Sequence, residues 1–181
     1  MVGFSRKFNV SYDALVMFVD EKFNYRDRHH CLSSSIKLKI DAFVKVIKAQ
    51  KEENEIYSFD ISEKTKCFII KNKTEELNNY LEDLGAKFYS YLNSFKNINN
   101  LELYVDSLNK DKKKIVELAI KFFHGFNLKS YKFNKYKTLN AKNNKLNLTF
   151  ITSFKKEIND KYKYFEAIER GVFLTRDLVS E

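Results

Sequence analysis

Side-chain chemistry most often begins with histidine, cysteine or paired carboxylates, and this chain of 181 residues holds only three His and two Cys. His29, His30 and Cys31 are consecutive, the one run that invites a metal assignment. Adjacent side chains on extended backbone point to opposite sides, and a zinc site needs four ligands with a return spacing. The sequence supplies no CxxC or HxxxH partner, and His124 stands alone near the end of a helical pattern. Cys67 lies in an apolar run, where a thiol is buried and inert. Cys31 and Cys67 read as two reduced thiols rather than a disulfide. Glu52-Glu53-Asn54-Glu55 and Glu75-Glu76 sit in charge-mixed polar contexts, as on a solvated face, and form no acid–base pair. The residue types therefore predict no catalytic, metal or cofactor-binding residue in this chain.

Lysine is the abundant class. Eleven lysines fall between Lys110 and Lys145 against Asp111 and Glu117, so this stretch carries the whole formal excess of +9. Tyr131, Phe133 and Tyr136 are interleaved among them. Lysines meet phosphates and aromatic rings stack on bases, which suits polyanion binding. Arginine, the side chain best shaped to read bases, is absent from the stretch. AT-rich codons would also produce a chain rich in Lys, Asn, Ile, Phe and Tyr with no Pro, so the charge does not require a partner. The expectation is weak, non-specific nucleic-acid binding by a patch of Lys110, Lys113, Lys114, Lys121, Lys129, Lys132, Lys135 and Lys137. The first four recur at helical spacing on one stripe, and the rest must return beside it.

The elements that must position these groups alternate between strand and helix. Ala14-Leu-Val-Met-Phe-Val19 is a continuous apolar run, as in a strand covered on both faces. Residues 33–49 place Ile36, Ile40, Phe43, Val44 and Ile47 at helical spacing behind serines able to cap. Ile36-Lys-Leu38-Lys-Ile40 also alternates like a strand; helix is the expectation. Ile56–Phe59 and Cys67–Ile70 are short strands about the polar turn Ser62–Thr65. A helix is predicted from Lys73 to about Phe95, opened by Asn72 and Glu75 as a capping box. Leu101–Val105 is the next strand. A helix capped by Asn109 follows, with Gly125 at its C′ position. Leu146–Ile151 alternates, which predicts one wet face at a sheet edge. The last helix begins after Ser153, with Phe165, Ile168, Val172 and Val179 on one side.

This order predicts one three-layer α/β domain over 1–181, with a mostly parallel mixed sheet flanked by helices. No apolar run approaches the ~20 residues that span a bilayer. The N-terminus lacks a signal-peptide core, and the thiols are reduced, so a cytoplasmic protein without membrane contact is expected.

Two segments resemble a known family. Gly171-Val-Phe-Leu-Thr-Arg-Asp-Leu-Val-Ser-Glu181 is similar to the inter-domain helix of the leucyl aminopeptidases, the peptidase M17 family, where a comparable run continues into Pro-x-Asn and the catalytic domain. Gly125-Phe-Asn-Leu128-Lys-Ser-Tyr131-Lys-Phe133-Asn-Lys-Tyr136-Lys137 resembles the family's G-x-x-L-x-x-Y-x-F-x-x-Y-K segment, in the right order and at a fitting distance. Leu84-Gly85-Ala86 is a local echo. The resemblance implies a non-catalytic N-terminal domain with a macro-domain-like fold, in which 160–181 starts the inter-domain helix. The parent enzyme would be a hexameric metalloprotease, a hydrolase removing N-terminal residues with two divalent metals, Zn or Mn. Its partners would be the missing catalytic domain and sister subunits. The family's catalytic motifs, such as N-T-D-A-E-G-R, do not occur here. A free-standing macro-like ligand-binding domain is a further alternative. Against it, the chain's four glycines are scattered, whereas phosphate-cradling loops need them together.

Overall fold

Ala14–Val19 is buried at every position, which is why a run without polar alternation can form a strand. The computed structural model describes residues 3–9, 11–50, 54–73, 79–95, 97–131 and 146–179. Contacts divide the chain into two compact units. The first comprises Met1–Glu76, Asn97–Ile115 and Leu146–Ser153; the second comprises Leu77–Lys96, Val116–Lys145 and Phe154–Glu181.

Among the described residues, the first unit holds a six-stranded sheet and one complete α-helix. Its strands are β1 (Gly3–Ser5), β2 (Ala14–Val19), β3 (Ile56–Asp60), β4 (Lys66–Lys71), β5 (Asn100–Tyr104) and β6 (Asn147–Ile151). Their spatial order is β1-β6-β5-β2-β4-β3, and only the β3–β4 hairpin is antiparallel. The mixed, mostly parallel α/β class expected from the alternation of elements is present. Leu15, Met17 and Val19 join Cys67, Ile69, Tyr104 and Ile151 under helix α1 (Ser34–Ala49). Val16, Phe18, Phe68 and Phe150, on the opposite face, are also buried. Ser33 caps α1 by accepting the Ile36 N–H at 3.4 Å, and Ile36, Ile40, Val44 and Ile47 form its inward stripe. Leu38 is 71% exposed, so the alternation at 36–40 is a helical one.

Two readings of the sheet are corrected. β6 is not an edge strand, because Gly3–Ser5 pairs with it on one side and β5 on the other. Its polar Thr149 is buried and meets the Tyr12 hydroxyl at 3.1 Å.

The second unit contains α2 (Tyr80–Leu92), α3 from Val116 onward within Lys112–Ser130, and α4 (Lys155–Val179). α2 is capped by position at Asn79 and ends before Phe95; Glu75 and Leu77 lie outside the described residues. Asp111 rather than Asn109 caps α3, its Oδ1 accepting the Lys114 N–H at 3.0 Å. α3 does not stop at Gly125 but continues to Ser130. A Cβ on Gly125 would lie 1.9 Å from the Glu82 carbonyl oxygen, and one on Gly85 would lie 1.9 Å from that of Phe122. The two glycines thus permit backbone contact where α2 crosses α3, and neither serves as a terminator. Phe88 then packs 5.7 Å from Phe122 and 6.0 Å from Phe126.

On α4 the inward residues are Ile158, Tyr162, Phe165, Glu169, Val172 and Phe173. Ile168 and Val179, expected on the packing side, are 37% and 83% exposed.

Candidate functional site

In an open α/β sheet a crevice forms beyond the carboxyl ends of two neighbouring strands whose connections leave in opposite directions. Here those strands are β2 and β5, since the chain moves from β2 towards β4 and β3 but from β5 towards β6. Three segments meet at this edge: residues 20–32 after β2, 105–111 after β5, and Thr152–Ser153 after β6. Ser107 joins the first two by accepting the Phe18 N–H on Oγ at 2.9 Å and the Arg26 N–H on its carbonyl at 2.8 Å.

Asp106 binds the third segment. Its Oδ1 accepts the Thr152 hydroxyl at 2.6 Å, while Oδ2 accepts the Ser153 N–H at 2.8 Å and the Ser153 hydroxyl at 2.7 Å. His29 Nε2 lies 2.7 Å from the same Ser153 Oγ. A serine beside a histidine suggests a nucleophile with its base. The hydroxyl has one proton, however, and the carboxylate takes it. His29 then donates from Nε2–H, so the trio orders a turn and leaves Ser153 without a base.

Asp27 plays the same role one loop earlier. Its side chain is 4% exposed, pairs with Lys37 Nζ at 2.7 Å and accepts the Tyr104 hydroxyl at 2.8 Å. It also takes the N–H groups of Cys31 at 2.7 Å and Leu32 at 3.3 Å. Burial opposes its charge, but Lys37, Tyr104 and the two amides outweigh that and hold the carboxyl below its ordinary range. The Cys31 thiol donates to the Arg6 carbonyl at 3.1 Å, and burial raises its pKa. Complete burial pushes the Cys67 thiol up as well, and both cysteines are free. Neither is poised as a thiolate nucleophile.

His29, His30 and Cys31 thus go separate ways, to Ser153, to a left-handed turn (φ 49° at His30) and to Arg6. Among the described residues no three His, Cys, Asp or Glu side chains converge to hold a metal. The described residues do not fit a two-metal centre. In the middle of β5, Glu102 is 1% exposed and accepts the Asn9 N–H at 2.8 Å and the Ser5 hydroxyl at 3.4 Å. Burial pushes its carboxyl up to about 7, against the pull of those two donors.

The helical unit has its own buried polar centre. His124 Nδ1 lies 2.8 Å from Glu169 Oε1, both residues 5% exposed. The Tyr162 hydroxyl lies 2.7 Å from both Glu169 oxygens, and Asn127 Nδ2 reaches the hydroxyl at 2.7 Å and Oε2 at 3.2 Å. The sequence offered a signal that was missed: a glutamate seven residues after Tyr162 on the same helical stripe. Asp106, Ser153 and Asp27 gave no such sign, since only the fold brings them to their partners.

Lys113 and Lys114 are exposed, but Lys121 is tied to Glu117 at 2.7 Å on the same helix. Lys129 is exposed near the end of α3. Lys132, Lys135 and Lys137 lie outside the described residues. Lys110 is joined instead to the loop after β2, where Arg28 Nη2 donates to its carbonyl at 3.3 Å.

No protein-family model matches the chain, and no curated protein sequence matches it. Among solved structures, a mutant of tomato leucine aminopeptidase superposes with a TM-score of 0.68 at 16% identity, covering 100% of this chain and 38% of that one. The bottromycin maturation enzyme BotP superposes with a TM-score of 0.56 at 12% identity, covering 93% of this chain and 32% of that one. The fold is therefore one that also occurs within an aminopeptidase, and the chain spans about a third of the length of these neighbours.

Proposed function

We propose that this chain is a non-catalytic domain of an M17-type leucyl aminopeptidase, corresponding to the N-terminal domain of such enzymes. The observation that carries this reading is that the two segments resembling the family meet in space. Tyr131 stacks on Phe173 with ring centroids 5.2 Å apart and donates its hydroxyl to Asp177 at 2.5 Å. Arg176 reaches the Leu128 carbonyl at 2.8 Å and places its guanidinium 5.4 Å from the Tyr131 ring centroid. Partial burial and the Asp177 carboxylate push the Tyr131 phenol up to about 12. Leu128 and Tyr131 from one motif, with Phe173, Arg176 and Asp177 from the other, thus form one lock between the ends of α3 and α4. Superposition on the tomato enzyme over the full chain supports the same reading.

The role of such a domain is architectural. One face of α4 carries Tyr164, Leu174, Leu178 and Val179 at 61–83% exposure, with Ile168 beside them. An apolar stripe of this kind suits contact with the rest of the enzyme or its sister subunits. The metal ions and the peptide chemistry belong to the other part of the parent protein. The coding sequence after Glu181 provides the test. A reading frame continuing into Pro-x-Asn and a downstream N-T-D-A-E-G-R motif is expected, and an immediate stop codon would refute the reading.

A further inference from the structure

We propose that residues 5–9 form a proton-dependent strap, closed over the buried carboxyl of Glu102 while that group is neutral and released when it ionises. The strand registers place Gly3, Thr149, Glu102, Leu15, Cys67 and Phe59 in one row across the sheet. Glu102 is the acid of this row, set between a threonine and a leucine. Its side chain is shut in, yet the segment that contacts it is not. Ser5 and Phe8 are half-buried, while Arg6, Lys7 and Asn9 are exposed. The chain that touches the acid is therefore itself in touch with water.

The bonding at Ser5 distinguishes the two states. Its hydroxyl has one proton and two acceptors in reach, the Lys7 carbonyl at 3.0 Å and Glu102 Oε1 at 3.4 Å. With a proton on Oε1 both contacts are satisfied, since Ser5 Oγ donates to Lys7 and accepts from the acid. Oε2 meanwhile takes the Asn9 N–H. Without that proton, the carboxylate must draw the Ser5 hydroxyl away from Lys7. A carboxylate out of water with two donors among the described residues is costly, and lifting residues 5–9 hydrates it. Burial accordingly pushes the carboxyl up to about 7, so the exchange falls near neutral pH.

The other titratable groups packed about this row are engaged elsewhere. The Tyr12 hydroxyl meets Thr149, and Asp13 Oδ2 accepts the N–H groups of Asn99 and Asn100 at 2.8 Å. Tyr104, two residues along β5, donates to Asp27, which Lys37 of α1 neutralises. Cys67 is fully buried beyond Leu15, and Arg6 and Lys7 are exposed on the strap itself. Beyond Glu102, the strap is held by the Thr152 N–H on the Ser5 carbonyl at 3.4 Å and by Cys31. The Cys31 carbonyl accepts the Phe8 N–H at 3.1 Å, and its thiol donates to the Arg6 carbonyl. Release of the strap thus loosens β1 from β6 and uncovers the Cys31 thiol, while Cys67 stays within the sheet. This inference does not rest on the aminopeptidase reading.

Thiol labelling of the full chain with a small disulfide reagent tests it, with Cys31 as reporter and Cys67 as control. Glu102→Gln keeps the closed pattern at every pH, because its amide donates to Ser5 and accepts from Asn9. Between about pH 5.5 and about pH 8.5, Cys31 labelling in the parent is expected to rise about tenfold more than in Glu102→Gln. Thiolate formation raises both rates alike and cancels in the ratio, and Cys67 is expected to label far more slowly in both proteins. Ser5→Ala removes the shared hydroxyl and leaves the acid in place. It is expected to label Cys31 severalfold faster than the parent at about pH 5.5, and it keeps the test open if Glu102→Gln fails to fold. A ratio of parent to Glu102→Gln that does not change with pH, or a Ser5→Ala rate equal to that of the parent, would overturn the strap. So would labelling of Cys67 in step with Cys31, which marks global unfolding rather than local release.

Discussion

With its carboxyl pushed up to about 7 by burial, Glu102 is roughly half ionised at neutral pH. In the unfolded chain the same group titrates near 4.5. Between those values the folded protein keeps a proton that the unfolded chain has released. The stability contributed by neutral Glu102 is thus complete below about 4.5 and is lost as pH rises through about 7. Glu102→Gln removes that loss and is expected to be on the order of 2–3 kcal/mol more stable than the parent at alkaline pH. Urea midpoints measured on both sides of the window check this; parallel pH profiles for the two proteins would contradict it. Glu169 is a buried acid with three side-chain partners. Glu169→Ala strands His124, Tyr162 and Asn127 together, at a cost of about 3 kcal/mol. Glu166→Ala, three residues away on the same helix, breaks only an exposed pair with Arg170 at 3.0 Å and is expected to change stability by less than ~0.5 kcal/mol. Thermal melts of the two variants give the comparison.

At the scale of elements, glycines separate what composition can say from what packing decides. Gly125 and Gly171 are both helical, yet a Cβ at the first would lie 1.9 Å from a carbonyl oxygen while nothing lies within 4 Å at the second. Gly125→Ala must therefore push α2 and α3 apart and is expected to destabilise by about 2 kcal/mol or more. Gly171→Ala gains helix propensity and is expected to stabilise by about 0.5–1 kcal/mol. Denaturant titrations of both variants would expose an error in either sign. The same contrast explains what the sequence made legible. The run at β2, the stripe of α1 and the β3–β4 hairpin were readable because apolar periodicity is a local signal. β1 was not, because three residues, Gly-Phe-Ser, carry no period. The end of α3 was misjudged because a glycine that stops a helix and one that admits a neighbouring helix look alike in one dimension. The stripe of α4 was displaced from Glu169 to Ile168 because a charged residue reads as a solvent position until its histidine is seen. Of the sheet-edge cluster, only the lysines were visible. Arg28 reaches Lys110, and Asp106 reaches Ser153, across separations that no short spacing rule covers.

For the whole molecule, the prediction that follows from the sites is a negative one. Purified with Mn or Zn, the chain is expected to release no product from a leucyl chromogenic substrate, because among the described residues no three His, Cys, Asp or Glu side chains converge on a metal. Turnover above a mock-purified control would contradict this. The chain is also expected to be monomeric in light scattering. One helical stripe falls far short of the ~2,000 Å² or more that obligate interfaces bury, so a stable hexamer would count against the domain reading.

The pairing of β1 with β6 has a kinetic consequence. Gly3 faces Thr149 across a parallel ladder, so the first strand of this sheet in chain order waits for its sixth before it has a partner. By contrast, the β3–β4 hairpin joins neighbours and can close at once. The sheet therefore combines rapid local closure on one flank with high contact order on the other, and such non-local pairings dominate folding time. During translation the nascent chain would hold β2, β3 and β4 together while β5 still presents an open edge. Completion must await Asn147–Ile151, and that interval is when the protein is most exposed to strand-mediated association.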